Sequence, residues 1–155
     1  MKNDNNDHIN FFDHQCSSID MADKLNHASS IGEYLAHNKD EMLSNELSDY
    51  LYNILRIKDM SIADVARKSQ LDRTYIYQIF DGRKKPSRDK LIAIAFGFGL
   101  SVEETRKLMK ASGYRELYVR DKRDAIILYA LNHNKSIIEV DEMLYDYNLE
   151  MLVNK

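Results

Sequence analysis

Three short signatures constrain this chain more than anything else in it: Ser61-Ile-Ala-Asp64, Ser101-Val-Glu-Glu104 and Ser136-Ile-Ile-Glu139. A serine followed three residues later by an acid marks a helix start. The hydroxyl accepts an otherwise orphaned backbone N–H, and the acid reaches back to the N–H of the serine. Apolar residues then recur at helical spacing. Leu47, Leu51, Ile54 and Leu55 make one stripe, Ile62, Val65 and Ala66 a second, and Ile76, Ile79 and Phe80, behind the N-cap Asp72, a third that Gly82 stops. Ser87 opens a fourth helix with Leu91, Ile94, Ala95 and Phe98 inward, and a fifth runs from Ser101 to near Gly113. Two more follow. One spans Asp121 to about His133, with Ile126, Ile127, Leu128, Tyr129 and Leu131 on its face; the other starts at Ser136 and carries Val140, Met143, Leu144 and Tyr147. Ile31, Tyr34 and Leu35 predict a short helix between Ser29 and Lys39. No strand-like alternation of any length interrupts this, so the fold class is all-α.

The pair of short helices around 61–82 has a more particular shape. Ala66 is small where a following helix must cross closely, and Lys68-Ser69-Gln70-Leu71 makes a tight turn with Leu71 as its apolar plug. In the next helix Ile76 and Ile79 take the buried side, which leaves Arg73, Thr74, Tyr75, Tyr77 and Gln78 outward. Two such helices form a helix-turn-helix. The N-terminal end of its second helix favours phosphates, and its first side chains reach base edges in a major groove.

The charge distribution agrees with this. The net charge of −3 looks wrong for a nucleic-acid partner, but the acidity sits in the flanks: residues 1–40 sum to −4 and 114–155 to −2. Residues 67–90 hold Arg67, Lys68, Arg73, Arg83, Lys84, Lys85, Arg88 and Lys90 against three aspartates, a net +5 in one short stretch.

The run from Ser61 to Gly82, then Arg83-Lys-Lys-Pro-Ser87, resembles the Xre/Cro-type phage-repressor family, as does Leu91-Ile-Ala-Ile-Ala-Phe96 leading through Gly99-Leu-Ser-Val-Glu-Glu104. The resemblance covers about 45–113 and implies a five-helix, lambda-repressor-like DNA-binding domain. Its base-reading positions fall on Arg73, Thr74 and Gln78, with Tyr77 nearby. It implies phosphate contacts at the start of the second helix, Ser61, and at Arg83, Lys84 and Lys85. Arg88 joins them as part of the same basic run. The chain departs from the family at Ile62, where a Gln is common, and at Gln70, where the turn usually has Gly and needs positive φ. The 114–155 extension is similar to that of some Gram-positive regulators, in the Asp121-to-His133 run and the segment from Ser136 to Leu144.

These readings divide the chain into three parts: a mostly flexible acidic segment 1–40 with a short helix, a helix-turn-helix domain 41–113 and a helical extension 114–155. The expected function is a sequence-specific DNA-binding transcriptional regulator whose 72–81 helix enters the major groove of double-stranded DNA. A homodimer through the C-terminal helices is expected, with Tyr118, Tyr129, Tyr145 and Tyr147 as a surface or as core. A protein-interaction adaptor that keeps the fold, or an antitoxin-type regulator, fits the same residues. A lone cysteine, no signal-like start and no long apolar run point to a cytoplasmic protein without a membrane span. His8, His14 and Cys16 lack a scaffold and a second ligand cluster, so no metal or other cofactor is expected. No phosphate loop, nucleophile elbow or paired helical His signals an enzyme.

Overall fold

Each of the five N-caps read between residues 61 and 136 starts a helix, and Asp121, read only as the beginning of one, is a sixth cap. Ser61, Asp72, Ser87, Ser101, Asp121 and Ser136 all accept a backbone N–H three residues on, and the three Ser-x-x-Asp/Glu signatures close into full capping boxes. The computed structural model describes residues 18–39 and 47–153, in two units, 1–43 and 44–155. His8, His14 and Cys16 lie outside the described residues, as do all of residues 1–17 of the segment expected to be flexible.

In the first unit α1 (Ser18–His27) leads to α2 (Ile31–His37), which Ser30 caps by accepting the N–H of Glu33. The α2 helix matches its apolar spacing. The α1 helix falls where the sequence shows no sustained period, because its apolar residues Ile19 and Leu25 are exposed and trace no buried stripe.

The second unit holds α3 (Leu47–Lys58), α4 (Ile62–Ser69), α5 (Arg73–Phe80), α6 (Arg88–Phe98), α7 (Val102–Ala111), α8 (Lys122–Asn132) and α9 (Ile137–Asp146). Every described element is a helix. The centre is α6: all residues from Leu91 to Phe98 are buried, as a helix apolar on every side must be. It touches α3, α4, α7 and α9. The approach of α4 is closest at Gly97, where a Cβ would stand 2.8 Å from the carbonyl oxygen of Val65 and 3.0 Å from the Cβ of Ser69. Burial of side chains such as Leu91, Ile92 and Ile94 contributes about 1.5–3 kcal/mol each.

Two helical hairpins, α6–α7 and α8–α9, correspond at a shift of 35 positions. Arg88-Asp89 matches Arg123-Asp124, Gly99 matches Asn134, Ser101 and Glu104 match Ser136 and Glu139, and Gly113 matches Asn148. Gly99, Asn134, Gly113 and Asn148 all have positive φ, and each is followed by a residue whose N–H closes the helix end. The hairpins are joined by reciprocal ion pairs. Arg88 donates to both oxygens of Asp124 at 3.3 and 3.0 Å, and Arg123 donates to both oxygens of Asp89 at 2.8 and 3.0 Å. The α6 helix meets α9, and α7 meets α8. A further clasp ends the unit: the buried Asp141 carboxylate accepts the N–H groups of Leu152 and Val153.

Not every aromatic expected on a buried face goes inward. Tyr129 is exposed and stacks on His133 at 3.9 Å, while Tyr147 caps α9 from outside beneath Lys122.

Candidate nucleic-acid interface

The helix-turn-helix is α4 and α5. Between them Gln70 adopts φ 58°, ψ 22°, the left-handed conformation that the turn demands and that a Gly would take at less cost. Local hydrogen bonds hold it there: Gln70 Nε2 donates to the carbonyl of Arg67 at 2.9 Å, and the buried Ser69 hydroxyl bonds the carbonyl of Ala66. Leu71 is buried as the plug and Asp72 caps α5 through the N–H of Tyr75.

From this cap α5 divides cleanly. Ile76, Ile79 and Phe80 are buried, and Phe80 is held edge-on by Tyr52 of α3 at 5.3 Å and against Phe98 of α6 at 6.2 Å. Arg73 and Thr74 are exposed, Tyr77 is 37% exposed and Gln78 half-buried. The Arg73 guanidinium lies 5.6 Å from the Tyr77 ring centroid, one turn along the same face. That stacking steers a long cation over the outward surface near the helix start.

The loop after α5 folds back on it, because the Gln78 carbonyl accepts the N–H groups of both Arg83 and Lys84. Gly82, at φ 78°, makes this reversal possible. Arg83, Lys84 and Lys85 are all exposed. Arg83 pairs with Asp81 at 2.7 Å, Lys84 sits 5.9 Å from the ring of Tyr75, and Lys85 sits 5.1 Å from that of Tyr114. Tyr75 is thus half-buried beside the basic loop, and burial followed by its neighbour Tyr114 pushes its hydroxyl pKa up. Ser61 occupies the exposed start of α4, its N–H held by Asp64 and its hydroxyl accepting the Asp64 N–H. The Asp64 carboxyl is held below its ordinary range, chiefly by the backbone N–H of Ser61.

Arg88 is placed differently from its expected phosphate role. Its guanidinium donates to Asp124, to the carbonyl of Arg115 at 3.0 Å and to that of Glu116 at 3.2 Å, leaving it 19% exposed. A guanidinium carries five N–H donors, and four of these are spent within the fold. The structure brings together Arg73, Thr74, Tyr77, Gln78, Arg83, Lys84 and Lys85 along α5 and its loop, and it turns Arg88 away to the C-terminal hairpin. Sequence signals for that turn existed in Asp124 and the repeated Arg-Asp pair, but the contact joins residues 36 apart.

No described helix is long and apolar enough to cross a membrane. Neither curated proteins nor solved structures include a significant match to the chain. Residues 51–104 match the model of a helix-turn-helix family. That range runs from Leu51 in α3 through the turn at Gln70 to Glu104 at the start of α7, the elements whose geometry has just been described. The chain therefore carries, over residues 51–104, a helix-turn-helix domain of the Xre and phage-repressor type found in DNA-binding regulators, with further helices around it.

Proposed function

We propose that the chain is a sequence-specific transcriptional regulator that inserts the N-terminal half of α5 into the major groove of double-stranded DNA. The observation that carries this reading is the division of α5: its apolar residues are fixed in the core while Arg73, Thr74 and Tyr77 stand outward from a capped helix start. Arg73 reads a guanine through its O6 and N7 acceptors, and Thr74 and Gln78 serve neighbouring base edges or phosphates. Ser61, Arg83, Lys84 and Lys85 hold the sugar-phosphate backbone on either side, fixing register without reading sequence. Arg88 is left out of this set because its donors are engaged elsewhere. Such a regulator acts in the cytoplasm.

A single domain of this size reads a short half-site, and two raise affinity and specificity together. The outward side of the C-terminal hairpin, with Tyr129, Ile138 and Tyr145 between 47% and 69% exposed, is the surface we assign to a second copy. In vitro selection of bound duplexes from a random pool tests the whole reading. A preferred site is expected, palindromic if the protein binds as a dimer; recovery of an unenriched pool would leave the fold without this function. Arg73→Ala should then lose roughly 1–3 kcal/mol on the selected site and blur the preference at one position.

A further inference from the structure

Beside the basic loop lies a second group of cations that the helix-turn-helix does not include. The segment after α7 is bound directly to the loop that follows the recognition helix. The Tyr114 hydroxyl donates to the carbonyl of Pro86, Lys85 rests over the Tyr114 ring, and Arg88 holds the carbonyls of Arg115 and Glu116. The chain then curls around the Asp124 carboxylate, which accepts the N–H of Tyr118 at 3.1 Å, and a turn closes from the N–H of Asp121 to the carbonyl of Tyr118. This fixes the 115–122 loop against the base of the 83–88 loop. An open cleft of about 580 Å³ is lined by Ser48, Gly82, Lys84, Lys85, Ser112 and Gly113 among others.

Arg115 and Arg120 of this loop and Lys122, the first residue of α8, are all exposed, and the Arg115 side chain is 72% so. Arg120 has no ion pair or hydrogen bond among the described residues. Arg115 comes no nearer than 4.0 Å to Asp124, whose carboxylate Arg88 already occupies. Lys122 lies over the Tyr147 ring, with no carboxylate partner among the described residues. The two acids of the loop are engaged: Glu116 faces Arg106 at 3.6 Å, and Asp121 caps α8 by accepting the N–H of Asp124. The result is a group of solvated cations whose segment is tied to the loop of Lys84 and Lys85 through Tyr114 and Arg88. Its chemistry suits a row of phosphates, and its fixed attachment makes it part of the same rigid surface.

We infer that the 115–122 loop is a second contact to the DNA backbone, taking phosphates that flank those held by Lys84 and Lys85. This rests on the DNA-binding reading above. It extends the interface beyond the helix-turn-helix domain into the C-terminal extension, and it carries no base preference of its own.

The test uses the full chain and a labelled duplex, with the association constant followed against salt. In the triple variant Arg115→Ala, Arg120→Ala, Lys122→Ala the backbone carbonyls that Arg88 uses remain in place. Its log–log salt slope should be shallower by about 0.9 for each cation that faces a phosphate, so by about 2–3 in all, with sequence preference unchanged. Lys84→Ala runs alongside. If it flattens the slope while the triple variant keeps the slope and affinity of the parent, this inference falls and the DNA-binding reading stands. If the parent itself shows no salt-dependent binding, both fall. Far-UV circular dichroism and the urea midpoint check the fold of the triple variant. Should it unfold, Arg120→Ala alone decides, since that side chain makes no ion pair or hydrogen bond among the described residues: a slope shallower by about 0.9 supports the contact and an unchanged one overturns it.

Discussion

The hairpins α6–α7 and α8–α9 share their length, their capping boxes, their left-handed closures and an Arg-Asp pair, yet they do different work. In the first, α6 is covered on every side, with α4 pressed so close at Gly97 that a methyl group would meet backbone. In the second, the position 35 residues on is Asn132, exposed at the end of α8, and the match of the fully buried Ile94 is Tyr129, 51% exposed. One hairpin is the seat on which the helix-turn-helix rests. The other packs through its inner side and leaves its outer side to solvent. The same local chemistry thus fixes the shape of a hairpin, while its neighbours decide which residues it can carry.

The reciprocal ion pairs give the most forceful way to break this relation. Asp124 is 2% exposed at its side chain and answers Arg88 and the N–H of Tyr118, so Asp124→Ala strands buried donors. A loss of about 3–5 kcal/mol in urea unfolding is expected. Its counterpart Asp89→Ala opens a pair whose side chains are 19% and 17% exposed, and should cost less. Equal costs would mean that the two pairs do not divide the load as their burial indicates. Next in size, Gly97→Ala should destabilise by about 1–3 kcal/mol despite the helix propensity of alanine, because the nearest obstacle is the Val65 carbonyl. Asn132→Ala, at the matching position, should stay within about 0.5 kcal/mol. A neutral Gly97→Ala would show that α4 can shift on its seat.

Smaller effects separate the closures. Gly99→Ala places a Cβ at φ 69° and should cost about 1 kcal/mol, whereas Asn134→Gly, at φ 53°, removes a side chain from a conformation that Gly adopts freely and should be close to neutral. The smallest difference is in acid. Burial pushes the Glu104 carboxyl up, but hydrogen bonds from Lys58 and the Ser101 N–H outweigh it and leave the pKa lowered from 4.5. A lowered folded pKa gives stability that is present above the ordinary value and is lost as pH falls below it. Glu104→Gln should therefore flatten the acid limb of a stability–pH curve. Glu139→Gln should flatten it less, because both Glu139 and its salt partner Lys135 are substantially exposed and their attraction is screened.

Much of this architecture is legible in the sequence because caps are local. Ser61, Asp72, Ser87, Ser101, Asp121 and Ser136 each act within three residues, so their type and spacing suffice. The exposed half of α5 follows from the same short-range logic, since Ile76, Ile79 and Phe80 leave only one face free. What escaped is long-range or disguised. Arg88 looks like one more cation of a basic run until Asp124 is brought to it by the fold. Ala66 has the small size a close crossing needs, but the tightest approach is made by Gly97, on another helix. The 35-residue correspondence is hidden because Gly in one hairpin answers Asn in the other, alike in the backbone they permit and unlike as letters. The α1 helix gives no stripe to read, with Ile19 and Leu25 exposed.

The clean split of α5 has an engineering consequence. Its rear is bolted to Tyr52 and Phe98 through Phe80, while Arg73, Thr74 and Tyr77 hold nothing in the core. Those outward residues behave as a removable cassette: they can be exchanged as a set, and the scaffold has no stake in which letters they spell. A library randomised at these positions would start from a folded chain in nearly every member, so its diversity would be spent on choosing an address.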